Sequence, residues 1–208
     1  VINLDLEELE KFIETCHGFI QETKERLDRD YEDLTTKMEE DDLYAYFEDK
    51  VHYGYTKLPD SFYKSAITVA YSIFEFRLSE IVKKACIYKS INLAKILPKN
   101  GPEISKYKHV IQSELAIDLS DIESTWVRID FVRKVRNSIV HNDSRINTKE
   151  LKSLSKDEKK IVGAVWHKNQ VLIKRNIKQF YILEPDCVYA FIKEIKHYLQ
   201  KVTERVLI

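Results

Sequence analysis

The chain has 208 residues, 44% of them hydrophobic and 33% charged, with a formal net charge of zero. That composition is too apolar for a disordered chain, the length can bury a core in one or two domains, and no apolar run approaches the roughly 20 residues a membrane span needs. The opening residues alternate acids with apolar side chains, unlike a signal peptide, and four Gly with four Pro point to few tight turns and long helices.

Neutrality hides a segregation. Residues 1–60 hold 18 Asp and Glu against 7 Lys and Arg, a net of −11, and residues 61–208 hold 27 bases against 16 acids, a net of +11. An acidic arm joined to a basic body points to a polyanionic partner, with segregated solvated helix faces as the plain alternative. Three distant cysteines, Cys16, Cys86 and Cys187, suit free thiols in a reducing compartment, hence a cytoplasmic protein, and build no thiolate zinc site. The six histidines show no H-x3-H or H-E-x-x-H spacing, and P-loop, G-x-G-x-x-G and G-x-S-x-G patterns are absent, so no metal or cofactor is expected.

The first element reads as one long amphipathic helix. Leu6, Ile13, Ile20, Leu27 and Leu34 recur every seven residues, with Leu9, Cys16, Tyr31 and Met38 in the intervening seam. Such a stripe packs on the body or pairs with a partner chain, and heptads alone do not separate the two. An acidic, aromatic stretch then leads to Leu58-Pro59-Asp60, so residues 1–58 read as an acidic helical arm with an aromatic linker and 59–208 as the main domain.

Asp60 is placed to cap a second long helix over 61–88, whose apolar face is Ala66, Val69, Ala70, Ile73, Phe74 and Ile81. Asn100-Gly101-Pro102 breaks the chain before a short helix over 104–115. Ser120 and Glu123 form a capping box for a helix ending at Val140 or His141. Asn147 with Glu150, and Ser155 with Glu158, repeat that arrangement for two short helices. Residues 171–174 and 179–183 are the strand candidates, a minor hairpin across Arg175, Asn176, Ile177 and Lys178. Pro185 and Asp186 open the last helix. The expected fold is all-α with this one β-hairpin.

The helix over 121–141 breaks its own pattern. With Ile129 at zero and 100° per residue, Trp126, Val132, Val135, Ile139 and Val140 lie between about 240° and 60°, and Arg136 falls inside that arc at about 340°. A guanidinium there costs several kcal/mol unless an anion meets it. The anion is either an internal carboxylate, with Glu80 the best placed and Arg77 its competitor, or a phosphate. Asn137 and His141, four residues apart, share a side of the helix, whereas Arg136 and His141 are about 140° apart. A fixed cation, an amide and an imidazole suit metal-independent RNA cleavage by 2′-hydroxyl attack.

The segment Arg136-Asn137-Ser138-Ile139-Val140-His141 resembles the R-N-x-x-x-H form of the R-x4-6-H motif of HEPN domains. Residues 70–81 are also similar to the long helix that precedes the motif helix in that family. The resemblance covers residues 60–206 and is specific at the hexapeptide. It implies an HEPN-like helical bundle and an endoribonuclease of prokaryotic antiviral defence or a toxin–antitoxin pair. Arg136 would orient the scissile phosphate, Asn137 would be the polar site residue, and His141 the acid/base. It also implies a homodimer whose two motifs line one cleft, and an antitoxin or other regulatory protein as partner. One departure stands out: toxins of the family silenced by a nucleotidyltransferase carry Tyr two residues after the His, where this chain has Asp143.

Residues 145–178 hold ten bases and three acids beside Trp166, His167, Phe180 and Tyr181. With Arg133, the candidate RNA contacts are Arg145, Lys149, Lys152, Lys168, Lys174, Arg175 and Lys178, as phosphates and stacked bases would require. The competing reading is a non-catalytic HEPN-like helical module that binds RNA or a partner protein; a purely structural subunit assembled through the first helix is a third. The acidic arm is expected to shield the basic body, so that deleting 1–58 would strengthen RNA binding.

Overall fold

The computed structural model describes residues 4–142, 145–147, 172–174, 177–179 and 181–206. The protein is predominantly helical. Helix α1 spans Leu4–Thr35, α2 Glu40–His52, α3 Leu58–Tyr88, α4 Leu93–Ile96, α5 Glu103–His109, α6 Glu123–His141 and α7 Asp186–Val206. No described helix is long and apolar enough to cross a membrane.

Helix α3 is the centre, against which α1, α5, α6 and α7 all pack. Its buried residues include Tyr63, Ala66, Ile67, Ala70, Tyr71, Phe74, Leu78, Ile81, Val82 and Ala85, a stripe about 160° wide that runs along the helix. Such a stripe faces the interior, and its alanines let neighbouring helices approach closely. Of the residues expected on the apolar face, Ile73 is partly buried against the core, whereas Val69 is 46% exposed and lines a shallow hollow with Asp5 and Phe76. At the core, Tyr198 of α7 is fully buried between Phe74 and Trp126, with ring centroids 5.9 and 5.5 Å away.

The heptad stripe of α1 turns inward. Leu6, Leu9, Ile13 and Ile20 belong to the common core with α3 and α7, which settles its choice of partner within the described chain. The helix runs antiparallel to α3: Arg77 Nε donates to Asp5 Oδ2 at 2.9 Å, and the Tyr63 hydroxyl lies 2.7 Å from His17 Nδ1. Farther along, Leu27 sits over Gly54, where a β-carbon would come within 2.4 Å of the leucine Cδ1. The first half of the acidic segment is therefore docked. Removing 1–58 takes away core side chains, so stronger RNA binding is no longer its expected result.

The stretch read as a linker is helical. α2 continues through a π-helical turn, Tyr53–Lys57, directly into α3, and Pro59 falls in the first turn of α3, where its missing N–H costs little. Asp60 consequently caps nothing. It is buried inside α3, where it pairs with Lys64 at 2.6 Å and accepts the Ile182 backbone N–H at 2.7 Å. This carboxylate ties the start of α3 to the segment entering α7.

Gly101 takes φ +100° at the break before α5, a conformation that favours glycine. The capping box at Ser120 does not form: α6 starts at Glu123, whose carboxylate takes Lys108 Nζ at 2.6 Å, and Asp118 accepts the Ser120 N–H at 2.9 Å. Those bonds from Ser120 hold the Asp118 carboxyl below its ordinary range. Short strands β1 Arg145–Asn147, β2 Leu172–Lys174 and β3 Ile177–Gln179 make an antiparallel sheet in the order β1-β3-β2. Ile177 and Lys178, expected between the strands, lie in β3, and 181–183 are not strand. The two expected short helices fall on residues outside the described ones, apart from Asn147, which lies in β1.

Breaking a buried ion pair from one side leaves an uncompensated charge. Asp60→Ala, which also frees the Ile182 N–H, is expected to cost about 3–5 kcal/mol in urea unfolding. Asp60→Asn, which keeps an acceptor for that N–H, should cost less. Deleting residues 4–35 is expected to abolish cooperative unfolding altogether, read by circular dichroism.

Candidate anion site on helix α6

The buried side of α6 is not the arc its apolar residues suggest. In the first half Thr125, Trp126 and Ile129 are buried, but in the second half Phe131, Val135 and Ser138 are, while Val140 is 48% exposed. Arg136 therefore sits on the flank of the stripe and is half-buried where α6 meets α3.

Its surroundings decide what it is. Tyr71 of α3 presents its ring 5.6 Å from the guanidinium carbon, within the range of a cation–π contact. Arg136 Nη1 donates to Asn137 Oδ1 at 3.1 Å. The buried Nε has no acceptor. Among the described residues no carboxylate pairs with Arg136. The internal candidates are taken: Glu80 meets Lys83 at 3.3 Å, and Arg77 goes to Asp5.

Comparison with its neighbours sharpens this. Arg128, whose Nε also lacks an acceptor, gives Nη2 to Glu194 at 2.7 Å. Arg133 pairs with Asp130 at 2.7 Å, and Arg205 holds Asp121 through both terminal nitrogens. Within the described parts of α3, α6 and α7, every arginine except Arg136 meets a carboxylate. Arg136 is held by a ring and an amide, which orient it and leave its charge in place.

The remaining expected site residues are scattered. Asn137 joins Arg136 directly. His141 is the last residue of α6 and exposed, and among the described residues no hydrogen bond, ion pair or ring contact engages it. Arg133 is offset by Asp130. Arg145 is paired across the sheet with Gln179, Lys174 with Ile177, and Lys178 with both Ile146 and Ile173. Lys149, Lys152, Lys168 and Arg175, with Trp166, His167 and Phe180, lie outside the described residues. Tyr181 faces inward enough to receive Lys64 Nζ at 5.3 Å from its ring centre.

Tyr71 is the participant the sequence reasoning missed. Its position 65 residues upstream gives no local signal, and only the meeting of α3 with α6 brings it to Arg136. Burial, then the neighbouring Glu75, push its hydroxyl well above the ordinary phenol range, so it stays neutral. No group of three or more His, Cys, Asp or Glu suited to a metal occurs among the described residues.

A guanidinium without a carboxylate behaves differently on substitution from a salt-bridged one. Arg136→Met is expected to change unfolding free energy by less than about 1 kcal/mol, because an uncompensated charge gives way to an apolar side chain of similar length. Arg128→Met, by contrast, strands Glu194 and should cost more, measured in the same urea titration.

Comparison with protein-family models, curated proteins and solved structures finds no match to this chain.

Proposed function

We propose that the chain is a metal-independent endoribonuclease of the HEPN type, with Arg136 as the phosphate-binding cation and His141 as the acid/base. The observation that carries the reading is the retention of Arg136 by neutral partners only. A buried guanidinium N–H left without an acceptor costs about 1–3 kcal/mol, and a phosphate oxygen supplies that acceptor with an opposite charge.

In the proposed reaction an RNA 2′-hydroxyl attacks the adjacent phosphorus as its proton passes to an imidazole. The bond to the 5′-oxygen then breaks, and a proton is returned to that leaving oxygen. The products are a 2′,3′-cyclic phosphate and a 5′-hydroxyl. Arg136 stabilises the charge that builds on the phosphorane oxygens. Because His141 and Arg136 project about 140° apart on one helix, the two functions meet through a second copy, which makes the working form a homodimer. Defence or toxin activity in the cytoplasm, under control of an antitoxin or other regulator, is the setting the resemblance implies.

The exposed, unengaged His141 favours a second reading, a non-catalytic module that binds RNA or a partner through the same cation. Incubation with tRNA and mRNA in EDTA separates them. Wild type is expected to release cyclic-phosphate termini, and His141→Ala to be slower by about 10²–10⁴-fold while still binding RNA. Wild type and His141→Ala equally inert on a broad RNA panel, with RNA bound, would leave only the binding module.

A further inference from the structure

Arg136 is a long, flexible side chain at a helix junction, and something must choose its orientation. Asn137 occupies Nη1, so the edge formed by Nε and Nη2 is the one left without a protein acceptor. That edge is the fork that binds carboxylates and phosphates side-on, and Arg77 uses the same Nε and Nη2 atoms on Asp5. We propose that Tyr71 is the positioning residue that aims this edge: its ring fixes the plane of the Arg136 guanidinium so that Nε and Nη2 face an incoming phosphate. The inference rests on the reading of Arg136 as a phosphate-binding cation and names what builds that site.

Three features of Tyr71 suit the task. It is 2% exposed, so its packing fixes the ring. The ring also touches Phe74, at 6.4 Å between centroids, which in turn packs on the buried Tyr198. The platform is thus continuous with the core. Its hydroxyl remains a neutral phenol, so the ring never becomes a counter-ion that cancels Arg136. A carboxylate at this place would orient the guanidinium equally well and remove its charge; an aromatic face orients it and leaves the charge for a ligand.

The test uses the full chain, labelled with ¹⁵N, and the arginine Nε–H resonances, Arg136 being assigned by its loss in Arg136→Met. Inorganic phosphate is the probe. Wild type and Tyr71→Phe are expected to show the Arg136 signal shifting with the same apparent Kd within about twofold. Tyr71→Leu and Tyr71→Met, which lack a ring, should weaken that Kd about fivefold or more while the backbone spectrum stays folded. In wild type and Tyr71→Phe alike, the Arg136 Hε resonance is expected upfield of its position in Tyr71→Leu because of the ring beneath it.

A folded ring-free variant that binds phosphate like wild type overturns the proposal, as does an Arg136 Hε without an upfield displacement. A loss in Tyr71→Phe as large as in Tyr71→Leu assigns the effect to the hydroxyl and also overturns it. Absence of any Arg136 shift in wild type removes the phosphate reading and this inference together. Normal phosphate binding by a protein that cleaves no RNA removes only the ribonuclease.

Discussion

Everything in this fold depends on α3 being buried along most of its length. A 31-residue helix contacted by α1, α5, α6 and α7 contributes buried side chains to the core from nearly every turn. Apolar burial at roughly 25 cal/mol per Å² makes this the dominant stabilising term, though it is non-directional and does not choose a register. The register comes from polar contacts at stated points: Asp5 with Arg77, His17 with Tyr63, Asp60 with Ile182. These decide which part of α1 faces which part of α3, and where the chain re-enters at α7. Through α3, Tyr71 is presented to α6 at the level of Arg136.

The opposed charges of the two halves look different once α1 is docked. Asp5 meets Arg77 of α3, Glu10 meets Lys196 of α7 at 2.6 Å, and Lys24 of α1 lies 3.8 Å from Glu184. Each of these pairs is part-exposed, so none adds more than about 1 kcal/mol. Their effect is orientational. Part of the acidity that reads as a free arm serves to align α1 on α3 and α7, and Asp60 is buried with Lys64. Of the basic stretch over 145–178, a candidate RNA surface on composition, Arg145, Lys174 and Lys178 lie in the described strands.

Long helices were legible because a 3.6-residue period needs only local sequence. Leu6, Ile13, Ile20 and Leu27 of the α1 heptads are buried, with Leu34 only partly so and Tyr31 exposed. In α7 the helical spacing of Val188, Phe191, Ile192, Ile195, Tyr198, Leu199 and Val202 marks side chains that are all buried. What misled was punctuation. Leu58-Pro59-Asp60 looks like a stop and a cap, yet a π-turn widens the backbone just before Pro59 and the helix carries on. Asp60 and Ser120 resemble caps because their side chains suit that role; tertiary partners recruited the first, and Asp118 the second. In the site, Arg136 stood out as a charge among apolar neighbours. Neither its lack of a carboxylate nor the ring beneath it is local, and both appear only when α3 and α6 meet. The buried face of α6 also shifts along its length, which a single-arc projection averages away.

The arginines of α3, α6 and α7 form a natural control for one another. Arg77, Arg128, Arg133 and Arg205 show how this fold neutralises a guanidinium: it supplies Asp or Glu. Were Arg136 neutralised in the same way, an acidic side chain would stand at one of the two positions that touch it, 71 or 137. Those two positions instead hold a phenol and an amide, the one lending a π face and the other a carbonyl oxygen, and neither carries charge. On the proposed reading, that arrangement leaves the charge of Arg136 for an anion brought from outside the chain. Binding such an anion asks nothing more of the fold, whereas cleaving it also requires an imidazole that one helix cannot bring round to the same face. Under the proposed function, catalysis at Arg136 would belong to an assembly, and anion recognition to the single chain.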